Sequence, residues 1–263
     1  MGKAATRYAC VVTPAPAITI GPPHRRRLRE LWRSAGWPRQ DTVEIELLAW
    51  GLAERLRDGD GRETLRVTDA GVQLLATTLR ENRAARDAHE ALVERVANAL
   101  QQSGRIAWRG LSLRARVADA ERASGERWQT AMPDVFSVRH TTVAAYLQSA
   151  VHEIKVRRAD LLADLRQASK RAAYLDMAGE CWYVLAEGIA EADEVPAECG
   201  VLVARGPELA KLEVARPAPA RAMPFDAGLP FAVWMALARA APVPVPDDEL
   251  QRWLGESTDP RAA

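Results

Sequence analysis

Apolar positions recur with two different periods along the chain, and the change of period divides it. From residue 25 to 82 the spacing is mostly helical. "RRRLRELWRSAG" places Leu28, Leu31, Trp32 and Ala35 on one face and ends at Gly36, a suitable C-terminal cap. Asp41 is a good N-cap for "TVEIELLAW", which turns Val43, Leu47 and Trp50 inward, with Leu48 as a further candidate. The runs "AERLR" and "TLRVT" flank an Asp-Gly-Asp-Gly tip, a hairpin signal. Thr68 then caps a helix through "DAGVQLLATTL". The predicted order is helix, helix, hairpin, helix.

From residue 83 the pattern becomes α/β. Leu92, Val93, Val96, Ala99 and Leu100 form the apolar face of a helix that stops at Gly104. "RIAWRG", "PDVFSVR", "AVHEIKVR", "CWYVLAE", "CGVLVAR" and "KLEVARP" read as strands, and "TTVAAYLQSA" as a short helix or turn. Residues 109–128 are Arg-rich and show no clear period. Residues 159–178 read as one long helix, and "DAGLPFAVWMALARAA" as a last one. The expected fold class is α/β, a mixed central sheet flanked by helices, with a small N-terminal domain. The expected boundaries are an arm at 1–24, the small domain at 25–82, the α/β domain at 83–241 and a Pro-rich acidic tail at 242–263.

The strand "VHEIKV" carries the chemistry. Alternation puts Val151, Glu153 and Lys155 on one face and His152, Ile154 and Val156 on the other. The Ile154 face suits a covering helix; the charged face must be solvated, paired or functional. Upstream, Pro133 leads Asp134 into the preceding strand, with eighteen residues between Asp134 and Glu153. Two carboxylates and the Ile154 backbone carbonyl are hard oxygen donors suited to Mg²⁺ or Mn²⁺. Lys155 could orient water or stabilise charge on a phosphate.

Asp134 followed by Glu153-Ile154-Lys155 resembles the PD-(D/E)xK (restriction-endonuclease-like) nuclease superfamily over roughly residues 85–215. The resemblance implies that Asp134, Glu153 and the Ile154 carbonyl bind Mg²⁺ or Mn²⁺, with Lys155 beside them in catalysis. Some members add a carboxylate from the first helix; Glu90 and Glu94 are the candidates, and Glu94 is the preferred one. After the active strand, Asp160, Asp164, Gln167, Arg171 and Tyr174 form a polar stripe on the long helix, and Leu161, Leu165, Ala168, Ala172 and Leu175 an apolar one. Gln167-x6-Tyr174 is similar to a motif of the exonuclease members, and Lys170-x3-Tyr174 resembles a variant in DNA-repair members. These residues, with Arg157 and Arg158, are expected to support the site or contact substrate. For Asp160 and Asp164 a charge bias at the helix N-terminus is the simpler reading.

Residues 25–82 resemble a winged-helix module. The helix in the reading position carries Asp41, Glu44 and Glu46, which phosphates would repel. The implied function is a metal-dependent deoxyribonuclease, in DNA repair or processing. The alternatives are a non-catalytic DNA-binding or adaptor protein that keeps the fold, and a winged-helix transcriptional regulator.

Composition narrows this picture further. The net charge of +1 over 263 residues leaves no global basic field, so nucleic acid would need a local patch. Arg105, Arg109, Arg114, Arg116, Arg157, Arg158 and Arg166 surround the motifs and are candidates for one. Lysine is scarce: Lys3, Lys155, Lys170 and Lys211 stand among 36 basic residues. A generic surface charge would be Arg in this chain, so Lys155 and Lys170 stand out. Cys10, Cys181 and Cys199 form no C-x-x-C pair, so neither a disulfide framework nor a zinc site is expected. His140 and His152 lack partners at ligand spacing and are read as ordinary polar residues. Trp182 and Tyr183 are read as core. Prolines interrupt the N-terminus, and Arg239 with several prolines interrupts "LPFAVWMALARAAPVPVP", so no signal peptide or membrane span is expected. A reduced, cytoplasmic protein, possible as a homodimer, is the expectation.

Overall fold

The computed structural model describes residues 19–118, 125–223 and 228–244. Most of the arm at 1–24 and most of the tail at 242–263 lie outside these residues. The chain divides into two compact units between Arg83 and Ala84.

The first unit contains α1 (Pro22–Arg33), α2 (Thr42–Ala49), β1 (Ala53–Arg57), β2 (Glu63–Val67) and the first turns of α3 (Asp69–Gln102). The order is the helix, helix, hairpin, helix read from the sequence. Helix α1 begins three residues earlier than expected, because Pro22 and Pro23 occupy its first two positions, where their fixed φ fits and no N–H is needed. Asp41 caps α2 by accepting from the Glu44 N–H at 2.9 Å. Leu28, Leu31, Leu47, Leu52, Leu65, Val67 and Leu75 make the core. Trp32, expected inside, is 60% exposed, and Arg27 is buried instead.

Glu44 explains that exchange. Its carboxylate is buried and accepts from Arg27 Nε at 2.7 Å and from the backbone N–H groups of Arg39 and Gln40, both at 2.8 Å. Arg27 Nη2 also donates to Glu44 and to the Trp37 carbonyl. Gln40 sits at φ +57°, a left-handed conformation that the Glu44 contact helps hold. Glu46 pairs with His24 at 2.5 Å. The acidic character expected of this helix is therefore largely consumed inside the unit. Gly36, at φ +76°, accepts through its carbonyl from the Leu65 N–H at 2.7 Å, and a Cβ there would lie 2.1 Å from the Leu65 oxygen.

Helix α3 runs without a break through residues where two helices were expected. Thr68 caps it, accepting from the Gly71 N–H at 3.2 Å. From Ala84 onward it belongs to the second unit.

That unit is α/β. Six strands form a mixed sheet in the order β10-β9-β8-β7-β6-β3: β3 (Arg105–Arg109), β6 (Val135–Arg139), β7 (Ser149–Lys155), β8 (Glu180–Ala186), β9 (Gly200–Arg205) and β10 (Lys211–Arg216). Strands β3, β6 and β7 are antiparallel neighbours, β7, β8 and β9 run parallel, and β10 returns antiparallel. Alternation along β7 works as read. Val151 joins Phe136 and Tyr183 in a core with Leu161, Tyr174, Met177 and Val233 from the helices of one face. Ile154 joins Val135 and Val184 under Leu92, Val93 and Val96 of α3 on the other.

Two assignments change. The Arg-rich stretch forms a separate antiparallel pair, β4 (Leu113–Ala118) and β5 (Glu126–Ala131). The long helix after β7 is two: α4 (Arg158–Leu165) and α5 (Ala168–Met177), broken at Gln167 with ψ 69°. The expected apolar stripe does not survive the break, since Ala168 and Ala172 are exposed while Ala173, Tyr174 and Met177 are buried. The last helix, α6 (Phe231–Arg239), starts only after Pro230. Among the described residues no helix is long and apolar enough to cross a membrane.

Removing one partner from a buried ion pair leaves the other charge uncompensated. Glu44→Ala is expected to destabilise the first unit by about 3–5 kcal/mol. Hydrogen exchange on the full chain should show protection falling over residues 25–67 and holding over β6, β7 and β8.

Candidate functional site

The site forms where β7 ends. The last pair of the β6–β7 ladder is Val135 with His152, so one further step sets Asp134 opposite Glu153. Facing positions of an antiparallel pair share a face of the sheet. Asp134 Oδ2 accepts from the Ile154 N–H at 2.7 Å, which ties the entry of β6 to β7.

Glu153 is 3% exposed, and both its oxygens are engaged. Oε1 meets Lys155 Nζ at 2.5 Å and Lys170 Nζ at 2.6 Å. Oε2 accepts from the Tyr174 hydroxyl at 2.7 Å. Lys170 also reaches Asp164 Oδ1 at 2.5 Å, and Lys155 Nζ lies 3.6 Å from the same oxygen. Asp164 Oδ2 accepts from the Tyr183 hydroxyl at 2.7 Å. Two carboxylates, two ammoniums and two phenols thus form one connected, charge-balanced network, the kind of pairing a buried charge requires.

The break between α4 and α5 makes it possible. Residues six apart on a straight helix point about 120° apart and rise about 9 Å. Asp164 and Lys170 could not meet at hydrogen-bond distance there. Arg171 secures the junction by donating to the Leu165 carbonyl at 3.3 Å and to Glu198 at 2.9 Å.

The electrostatics follow from burial and pairing. Burial alone would raise the Asp164 pKa, but Lys155, Lys170 and the Tyr183 hydrogen bond outweigh it and hold the carboxyl below its usual value. Burial would lower the Lys170 pKa, and the Glu153 and Asp164 charges turn the shift upward. Burial, then the neighbouring carboxylate, pushes both phenols far up, so Tyr174 and Tyr183 stay protonated donors.

Asp134 has a second neighbour that sequence reasoning missed. His89 of α3 lies with Nε2 at 3.3 Å from Asp134 Oδ2 and Nδ1 at 3.6 Å from Glu90. The Asp134 hydrogen bond, opposed by burial and assisted by the charges of Asp134 and Glu90, raises its pKa. Glu90 also pairs with Arg109 at 3.0 Å. Of the two helix carboxylates, Glu90 therefore approaches the site. Glu94, the preferred candidate, is exposed and lines a different groove with Arg95, Asn98 and Leu212.

The chain matches no family model. No curated protein and no solved structure matches it either.

The remaining expected residues separate. Lys170 and Tyr174 are in the network. Gln167 is exposed at the helix junction and marks the break. Arg158 is committed to Glu194, with contacts of 3.0 and 2.7 Å, and to the Ile189 carbonyl. Arg157 is partly buried at the start of α4. Arg105 is fastened to Ser137 Oγ and the Gln148 carbonyl, both at 2.9 Å, rather than presented to a ligand. Asp160 stays exposed in the first turn of α4, as a helix-end charge would, but Asp164 does not fit that reading: it is a buried partner of both lysines. Tyr183 is core, as read, and also serves the site. His152 faces α3, stacked on Trp182 with ring centroids 6.3 Å apart. Burial, with the Arg105 charge, lowers its pKa to about 3.

Among the described residues no three His, Cys, Asp or Glu side chains are grouped to hold a metal ion. In kind, the Asp134 and Glu153 carboxylates and the Ile154 carbonyl fit a hard divalent cation. Because both Glu153 oxygens already have partners, taking up an ion requires an ammonium to shift toward Asp164, which already accepts from Lys170.

Two pH effects follow. A carboxyl whose folded pKa is depressed adds stability above its unfolded value, near pH 4, and loses it as pH falls through the folded value. Asp164→Asn is expected to cost about 3 kcal/mol at pH 7, with the gap to wild type closing in urea titrations below about pH 4. His89 is raised, so its contribution is complete below about pH 6.5 and fades as pH rises through the folded value. NMR titration should give His89 a midpoint above that of a free histidine, and Asp134→Asn should return it toward about 6.5.

Proposed function

We propose that the second unit is a divalent-metal-dependent nuclease of the PD-(D/E)xK kind acting on DNA, and that the first is a winged-helix-like module fused to it. The observation that carries the reading is the pairing of Asp134 opposite Glu153 on adjacent strands, with Lys155 Nζ on the Glu153 carboxylate. Asp134, Glu153 and the Ile154 carbonyl would hold Mg²⁺ or Mn²⁺. Such an ion supplies Lewis acidity and a water of lowered pKa.

The protein's own groups supply the rest. Lys155 is 11% exposed at the rim of the network, placed to offset charge developing on a phosphate and to orient the attacking water. Tyr174 remains protonated and fixes the Glu153 carboxylate through Oε2. Asp164, held by Tyr183, retains Lys170 when Glu153 engages a cation.

A second reading has its own support. Glu153 is already neutralised by two ammoniums, as suits a protein that keeps the fold and binds nucleic acid without cutting it.

Incubating the purified chain with labelled DNA of several structures in Mg²⁺ or Mn²⁺ separates the two. The nuclease reading expects cleavage that Glu153→Gln and Lys155→Ala each reduce by about a hundredfold or more, with circular dichroism unchanged. Variants that cut as well as wild type would overturn the site. Binding without cleavage in either metal would establish the second reading.

A further inference from the structure

The β4–β5 pair lies outside the main sheet, and its two faces differ sharply. Leu113, Ala115 and Val117 are buried in the core that also holds Ala173 and Met177 of α5 and Val233 of α6. Arg114, Arg116, Trp128 and Thr130 point the other way and are exposed. In register, Arg116 stands opposite Trp128, and Arg114 opposite Thr130, one diagonal step away. Both guanidinium carbons lie against the indole, at 5.3 Å for Arg114 and 5.2 Å for Arg116 from the ring centre. Trp128 nevertheless remains 50% exposed.

The patch is held in place. The Arg116 N–H donates to Asp176 of α5 at 3.2 Å, and the hairpin's inner face is core. Glu126 is exposed and 3.7 Å from Arg116, a weak competitor, and the Asp176 carboxylate is held by the Arg116 backbone N–H. Strand β5 also runs directly into Met132, Pro133 and Asp134. The Met132 carbonyl lies 3.3 Å from the Tyr174 hydroxyl, and the Met132 side chain is 58% exposed. The patch therefore leads along the chain into the candidate site.

We infer that this outer hairpin face is a docking platform for a single-stranded stretch of nucleic acid. An unpaired base stacks on Trp128, and Arg114 and Arg116 take the flanking phosphates. An exposed indole gives sequence-tolerant stacking, which a paired base buried in a duplex cannot use. Guanidiniums ordered against the ring keep their N–H donors pre-aimed at phosphate oxygens. The inference deepens the nuclease reading by naming its substrate class and rests on that reading for its role, but it concerns binding alone.

The test is therefore run in EDTA, where no metal-dependent cleavage occurs. Fluorescence anisotropy of the full chain with a labelled oligo-dT strand and with a duplex of equal length, over a range of salt, reads it directly. Trp128→Ala is expected to weaken single-strand binding about tenfold, and Trp128→Phe, which keeps a stacking face, to restore most of it. Arg114→Gln with Arg116→Gln should flatten the slope of log affinity against log salt by about 1.4. Absence of single-strand binding by wild type, or binding indifferent to Trp128→Ala and to the double arginine variant, would overturn the platform. A protein that binds through this face but never cuts would leave the platform standing and remove the nuclease.

Discussion

A carboxylate buried in the middle of a sheet must be compensated, and Glu153 is the group around which the second unit is arranged. Its two oxygens require three donors from two elements: Lys155 on the same strand, and Lys170 and Tyr174 on α5. Bringing α5 over the strand buries Tyr174 and Met177 in the core. The second ammonium in turn needs its own counter-charge, supplied by Asp164, whose other oxygen needs Tyr183 from β8. One desolvated charge therefore determines how two helices and two strands meet. Such a network is costly to leave incomplete, because each member's burial depends on the others.

The sheet provides the other half of the arrangement. At β7 the pairing changes from antiparallel with β6 to parallel with β8. The antiparallel side brings in Asp134, and the parallel side requires a crossover, which is α4 and α5. Asp134 therefore comes from the hairpin side, and Asp164, Lys170 and Tyr174 come from the crossover side. His89 approaches from α3 and keeps Asp134 separately paired. The two carboxylates thus have different environments although they stand on facing positions.

Much of this was legible in the sequence, and the losses have specific physical causes. The period-two split of Val151 and Glu153 from His152 and Ile154 gave the correct faces, because β7 is a regular strand without a bulge, covered on both sides. The helix break was not legible. Residues 159–178 keep a good helical period, and nothing in them except the eventual burial of Asp164 demands a turn at Gln167. Strands β4 and β5 were obscured by arginine content, although Leu113, Ala115 and Val117 alternate with Arg114 and Arg116; the alternation was the signal and the charge hid it. His89 could have been found as the helix position one residue before Glu90. Glu44 was read as a charge facing outward because charged residues seldom sit fully inside, and only its buried pairing with Arg27 reverses that expectation.

The break between α4 and α5 also bears on how the chain assembles. The Asp164–Lys170 contact closes a loop of six residues, the Glu153–Lys170 contact one of seventeen, and the pairing of Ala150 with Glu180 one of thirty. Closure entropy grows with loop length, so the order of ease runs in that same direction. A helical elbow clasped by its own ion pair is a local structure that needs no sheet. It presents a lysine already in position when β7 arrives beside β8, so the most polar part of the interior is also the part least dependent on distant contacts to begin forming.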